Sequence, residues 1–366
     1  ACFYGPMFVE PNPWGLDHVG PYRDNAINAT LEAVKNMGGP QRAAVDKAMR
    51  EGTMDNALTA LNSLAAVPYV VNDYVLEAIK WTLDSDDPER VSKFPELEQF
   101  PVPQIKDWKA HMKLDPEDRR DVRSEISEVV SYNNGCKGNI QNLLRHISEA
   151  EQCAAAHAND NIPFYLPQQW DTRVRVYHIP DFGPHSSDYL RALFKFHRTT
   201  EINEGNDFWL LIHLANTYGH GLDKKPWQER VEWALDHEGE IHKAGLDFTM
   251  CDFWETAEDA FQFLAACNEW NKYRRHGNGY LTGLPLALDA TQSGVQHYAC
   301  AGQHPEDAAL VNLTEADEPN DYYTACLDRA VEIMEEKLAE AMVSRQADPC
   351  TAQDYADQKA YVAFIE

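Results

Sequence analysis

The stretch Leu284-Pro285-Leu286-Ala287-Leu288-Asp289-Ala290-Thr291-Gln292-Ser293-Gly294-Val295-Gln296-His297-Tyr298 decides how the rest of the chain is read. An apolar run ends in one carboxylate, a short polar turn follows, and a helix-compatible segment opens at Ser293-Gly294. This layout predicts a buried strand over 284–289 and a helix over 291–300, with Asp289 at the strand tip. A carboxylate in that place can meet a divalent metal and a phosphate, since Mg²⁺ takes oxygen ligands and few of them from protein. Taken alone, Asp289 reads first as a cap for the free N–H groups of the following helix.

Outward from this segment, the composition sets bounds. The 366 residues are 44% hydrophobic and 25% charged, which supports a real core and about two or three domains. No apolar stretch approaches the about 18 residues that span a bilayer, so no membrane partner is expected. The opening Ala1-Cys2-Phe3-Tyr4-Gly5-Pro6 has neither the basic region nor the apolar core of a signal peptide, and no initiator Met, as in a processed or trimmed start. The eight cysteines form no C-x-x-C pair and read as reduced thiols. The net charge of −27 argues against nucleic-acid binding in bulk, because phosphate contacts need Lys and Arg. Screening confines fields to about 10 Å at roughly 0.1 M salt, so a local basic patch can persist inside an acidic chain.

Along the chain, residues 1–25 read as an irregular packed segment and 41–85 as helices, with Leu58, Leu61, Leu64 and Ala65 on one face. The Pro-rich stretch 94–103 is a linker. Residues 104–156 are helical and charged, with Ile140, Leu143, Leu144, Ile147 and Ala154 as the apolar face. Residues 162–167 are extended, and Arg173-Val174-Arg175-Val176-Tyr177 alternates as a half-buried strand does. Helices follow at 186–197, 206–218, 226–243 and 254–273. A last long helix, capped near Asn320 or Asp321, carries the stripe Leu327, Val331, Met334, Leu338 and Met342.

Two basic groups stand out. Residues 171–198 hold Arg173, Arg175, Arg191, Lys195 and Arg198 against Asp171, Asp181 and Asp188, as a phosphate track inside an acidic protein requires. Lys106, Lys109, Lys113, Arg119, Arg120 and Arg123 form the other, but interleaved acids make it a solvated face. His237-Glu238-Gly239-Glu240-Ile241-His242 is not a zinc site of the H-E-x-x-H type: its histidines are five apart and point in different directions on a helix. His297 and Tyr298 suit either a nucleotide contact or packing of their helix.

The 284–297 words resemble motif A of the phage and mitochondrial single-subunit RNA polymerases. Upstream, Asp171-Thr172-Arg173-Val174-Arg175-Val176-Tyr177 is similar to that family's template and hybrid motif, motif T (D-x-x-G-R-V-Y), with Val174 where the family has Gly. Collinear support comes from Trp209–Asn216, Asp223–Arg230, Phe263–Trp270 and Pro6–Trp14, so the resemblance covers roughly residues 6–335. It implies an α+β, mostly helical fold: a right-hand polymerase thumb and the first half of a palm, with the start of the fingers. The expected divisions are 1–100 for the end of an N-terminal domain, 101–160 for the thumb, 161–318 for the palm, and 319–366 for the start of the fingers or a partner-interface helix.

The resemblance also implies chemistry. Asp289 would be a catalytic carboxylate binding two Mg²⁺ ions, with the Ala290 carbonyl ligating one of them. Arg175 would lie against the RNA–DNA hybrid, supported by Arg173 and by Lys195, which follows Leu193-Phe194 as a family lysine does. The expected partners are a DNA template, the RNA product and NTPs. Two further family motifs, B and C, are not found in these 366 residues: a fingers helix that selects the nucleotide, and an H-D-S turn with the second metal Asp. One carboxylate cannot hold a two-metal site. The expectation is therefore a split enzyme, inactive alone, completed by a second polymerase subunit carrying motifs B and C. A promoter-recognition or single-strand-binding factor would choose the template, and the setting would be the cytoplasm of an infected bacterial host. The competing reading is a non-catalytic palm-like scaffold that binds nucleic acid or protein.

Overall fold

The structure, a computed structural model, describes residues 4–15, 20–95, 97–105, 111–113, 115–288, 294–314, 316 and 320–347, with side chains as far as 339. The chain divides into two units, one of residues 1–223 and 227–286, the other of 224–226 and 287–366. The fold is α+β and mostly helical, as expected.

In the first unit seven short strands lie among the described residues: β1 (Pro68–Val71), β2 (Phe164–Tyr165), β3 (Gln168–Trp170), β4 (Val176–His178), β5 (Phe194–Phe196), β6 (Thr200–Ile202) and β7 (Tyr280–Thr282). They form an antiparallel sheet in the order β2-β1-β5, and two antiparallel pairs, β3-β4 and β6-β7. The sequence predicts helices over 41–85 with no strand between them. Helices do span Gly39–Arg50, Asp55–Ala65 and Asp73–Leu83, but β1 interrupts them at the centre of the three-stranded sheet. Pro68 halts the helical ladder there, and Tyr69-Val70-Val71 favours extended backbone.

A 45-residue helix, Pro116–Asp160, begins with Pro at its first turn and ends at Asn161 in the left-handed conformation (φ 54°). Its buried stripe is Asn133, Cys136, Leu143, His146, Ala150 and Cys153, whereas Leu144, assigned above to the apolar face, is 55% exposed. The helix Ala260–His276 lies at the centre of the main core. It is buried on nearly every side, from Phe261, Phe263 and Leu264 to Trp270 and Tyr273. The neighbouring helix Glu238–Leu246 approaches it through Gly245, where a Cβ would stand 2.1 Å from the Cys267 carbonyl oxygen. A smaller core gathers Met7, Trp14, Val34, Met49, Leu61, Trp170 and Ile179.

The Ala260–His276 helix is capped from a distant segment. Asp188 accepts hydrogen bonds from the Phe261 N–H (2.7 Å) and the Gln262 N–H (3.1 Å), while the adjacent Asp259 makes no cap bond.

Leu284–Leu288 differs from the expected buried strand. The ladder lies earlier, at β7, and 283–288 carries no strand pairing. Pro285 cannot donate to a ladder, and Leu286 and Leu288 are 42% and 66% exposed.

In the second unit, helices span Gly294–Gly302, Pro305–Leu310 and Tyr322–Ala347. Ala299 and Val311 are buried, and Gln296 Nε2 donates to the Val311 carbonyl (2.8 Å). Asp321 caps the last helix through the Tyr323 and Thr324 N–H groups, where the sequence places a cap.

Candidate nucleic-acid interface

Two of the expected contact residues sit on the tip of the β3-β4 hairpin rather than along a strand. The pairing Trp170↔Val176 leaves 171–175 as the loop. The Asp171 N–H donates to the Arg175 carbonyl (2.9 Å), and the Val174 N–H donates back to the Asp171 carbonyl (3.0 Å). A tight turn followed by one left-handed residue is a favoured hairpin closure, with the left-handed place normally taken by Gly. Val174 occupies it here, at φ 64° and 75% exposed. The loop keeps the path of a glycine despite a β-branched residue that resists it.

The Asp171 carboxylate organises this tip. Its Oδ1 accepts from the Arg173 N–H (2.9 Å) and the Arg175 N–H (3.1 Å). Its Oδ2 takes Arg173 Nε (2.9 Å) and Nη2 (2.7 Å). Burial alone would push its pKa up, but the Arg175 and Arg173 donors outweigh it and hold the carboxyl at about 2. Arg173 also donates to the Tyr177 hydroxyl (3.1 Å). Arg175 is exposed, and among the described residues its guanidinium has no partner. The acid thus consumes one arginine and aims the other outward.

Lys195 lies elsewhere, on β5, with its side chain only 18% exposed. Its Nζ stands 3.1 Å from Glu269 Oε2, a carboxylate 1% exposed on the central helix. Glu269 Oε1 also accepts from the Tyr280 hydroxyl (2.8 Å) and the Thr282 hydroxyl (2.6 Å). Burial pushes Glu269 toward the neutral acid, but Lys195 and these hydroxyls win, and its pKa is lowered. Thr282 Oγ1 in turn accepts the Leu284 N–H (3.0 Å). At Gly283 a Cβ would stand 2.2 Å from the Phe196 carbonyl oxygen, so only Gly lets the two segments approach. The buried pair therefore pins the chain where it enters the 284–289 segment. Arg191 and Arg198 are exposed, and Arg198 lines a cavity of about 350 Å³ with Val67, Pro68 and Phe196.

Asp289 and Ala290 lie outside the described residues. Among the described residues no three His, Cys, Asp or Glu side chains gather to hold a metal ion. His297 and Tyr298 are both exposed, Tyr298 at 80%, while Gln296 and Ala299 take the packing side of their helix.

Sequence reasoning missed two roles. The sequence presents Asp171 as a motif letter, and the structure makes it the organiser of the loop. For Glu269 the available signal is the one acid in the mostly apolar stretch from Phe261 to Trp270, which marks a buried charge with a partner.

Residues 200–358 match the model of the DNA-dependent RNA polymerase family. The chain is 29% identical over 338 residues to a mitochondrial DNA-directed RNA polymerase of Neurospora crassa, covering 91% of this chain and 23% of that protein. It is 28% identical over 344 residues to mitochondrial DNA-directed RNA polymerase 1B of Nicotiana tabacum, covering 92% and 32%. It is 28% identical over 335 residues to the chloroplastic/mitochondrial DNA-directed RNA polymerase 2 of Arabidopsis thaliana, covering 90% and 32%. The chain thus spans about a quarter to a third of the length of these relatives. They correct the expected setting in an infected bacterial host, since they are mitochondrial or chloroplastic. The motif words are common to phage and organellar enzymes and do not distinguish their settings. Over residues 200–358, and at 28–29% identity along most of its length, this chain is thus similar to the DNA-dependent RNA polymerases.

Proposed function

We propose that this chain forms the thumb and first half of the palm of an enzyme that extends RNA on a DNA template from NTPs. In this reading residues 101–160 are the thumb and 161–318 the palm. Residues 1–100 close an N-terminal domain, and 319–366 begin the fingers or meet a partner. The observation that carries it is the hairpin tip, where Asp171 fixes the loop and leaves the Arg175 guanidinium exposed without a partner among the described residues. Arg175 holds the hybrid or template near the primer end. Arg173 supports it by clamping Asp171, and Lys195 supports the site by bracing Glu269 and the chain entering motif A. Asp289 is the metal carboxylate, with the Ala290 carbonyl beside it. Bound Mg²⁺ would activate the 3′-hydroxyl and steady the leaving pyrophosphate.

The second metal Asp and the nucleotide-selecting helix come from polypeptide outside this sequence, carried on a second subunit or on the same, longer chain. Template choice falls to a promoter-recognition or single-strand-binding factor. RNA synthesis on primed single-stranded DNA with Mg²⁺ and NTPs tests the reading, with this chain alone and with whatever copurifies from its source. Activity is expected only with the completing polypeptide, and Asp289→Ala should abolish it while sparing template binding. Synthesis that survives Asp289→Ala would sink the assignment. The net charge of −27 favours the second reading, a palm-like scaffold. Template binding without synthesis in every preparation would select it.

A further inference from the structure

Beside the hairpin tip lies a cation that neither motif contains. The segment Ala33–Lys35 joins the edge of β3: the Trp170 N–H donates to the Ala33 carbonyl (2.7 Å), and the Lys35 N–H donates to the Trp170 carbonyl (2.7 Å). Ala33 and Val34 are buried in the smaller core, so the backbone at Lys35 is fixed one residue away from the start of the 171–175 loop. The Lys35 ammonium then lies over the Tyr177 ring, 3.9 Å from its centroid. Tyr177 is thereby held at its hydroxyl by Arg173 and on its face by Lys35.

A ring face attracts the ammonium without pairing it with another charge, so Lys35 is placed yet keeps its charge uncompensated and N–H donors on the side away from the ring. Among the described residues no carboxylate pairs with Lys35, and the Asp171 carboxylate is engaged by Arg173 and by backbone N–H groups. Lys35, Arg173 and Arg175 therefore outnumber Asp171 and leave a local excess of positive charge in a chain of net charge −27. Positioned cations beside an aromatic ring suit a phosphodiester backbone.

We propose that Lys35 is a further nucleic-acid-binding residue, holding a phosphate of the strand that passes the β3-β4 hairpin tip. The proposal rests on the reading of Arg175 above. Lys35 and Arg175 act as separate phosphate contacts, and Tyr177 keeps the lysine in place between encounters.

The test is fluorescence anisotropy of the 366-residue chain with a labelled RNA–DNA hybrid carrying a single-stranded template extension, titrated with salt. Lys35→Gln is expected to lower the slope of log K against log salt by about 0.7–0.9, the value of one phosphate contact. Lys35→Arg is expected to restore it, and the thermal midpoint is expected to stay put. If Lys35→Gln lowers the midpoint, Lys35→Met, which keeps an apolar stem over Tyr177, takes its place with the same expected loss of slope. A slope unchanged without the Lys35 charge, while Arg175→Gln lowers it, overturns the proposal and leaves the Arg175 reading standing. Salt-independent binding, or none, by the wild type removes both. A polyglutamate peptide bound as tightly, and with the same dependence on Lys35, reassigns the surface to an acidic protein partner and also overturns the proposal.

Discussion

The Lys195 ammonium and the Glu269 carboxylate meet at 3.1 Å, the first 18% and the second 1% exposed. Lys272 stands near them, its pKa lowered by burial and then by Lys195. Glu269→Gln keeps an acceptor for the Tyr280 and Thr282 hydroxyls but leaves the lysine charge uncompensated. Removing one partner of a buried pair costs on the order of 3 kcal/mol. Urea unfolding is expected to show that loss, and a change below about 0.5 kcal/mol, the ordinary surface range, would refute a bracing role.

Val174→Gly should stabilise the chain. An L-residue in the left-handed region carries about 1–2 kcal/mol of strain, and Gly gives back about 0.5–1 kcal/mol in unfolded-chain entropy. The net expectation is roughly 1 kcal/mol of added stability by denaturant unfolding. Template affinity should not move, because the loop already follows the path a glycine would take. A destabilised Val174→Gly would mean that the valine side chain holds something the loop needs.

Acid should open the hairpin tip. The Asp171 carboxyl is depressed from an ordinary 3.8 to about 2, so its contribution is full above 3.8 and is lost as pH falls toward about 2. The stability difference between wild type and Asp171→Asn should shrink through that window. A difference that stays constant with pH would separate Asp171 from the loop.

Asp188 runs the other way. Burial raises its carboxyl from 3.8 to about 6, although the Phe261 and Gln262 donors pull it down. The folded chain then binds the extra proton between those values, so this residue adds stability as pH falls through about 6 and withdraws it as pH rises. Asp188→Asn, which keeps a capping side chain, should flatten the stability profile between about 6 and 3.8. An unchanged profile would contradict the raised pKa.

Gly245→Ala probes the contact between the helices Glu238–Leu246 and Ala260–His276. The new methyl would fall on the Cys267 carbonyl, which is backbone and cannot rotate aside. Overpacking of this kind costs about 1–3 kcal/mol. Thermal unfolding should show the loss, and near-neutral behaviour would mean that the helices part easily.

The words of motif T were enough to single out Arg175, but the alternation over 173–177 reads as a strand where the structure has a hairpin loop, because the left-handed turn at Val174 leaves no mark on the polar–apolar pattern. What they left out has physical causes. Spacing cannot show that Asp171 bonds to the backbone two and four residues ahead, since that depends on the left-handed turn at Val174. The strand β1 was absorbed into a helical reading because Val75 and Ile79 continue the stripe begun at Leu58, and only Pro68 marks the break. Lys195 was legible as a basic residue in a basic stretch. Its partner was not, because 74 residues separate it from Glu269 and no local pattern joins them.

The long-range cap at Asp188 also sets an order of events. The bond from the Phe261 N–H spans 73 residues, so the first turn of the central helix is incomplete until the helix Asp188–Ala192 has docked beside it. Contacts of such separation are slow to form, because the loop must close before they reward it. The two segments should therefore rise and melt as one cooperative unit, with the amides of Phe261 and Gln262 exchanging with solvent deuterium in step with those of Leu190 and Arg191.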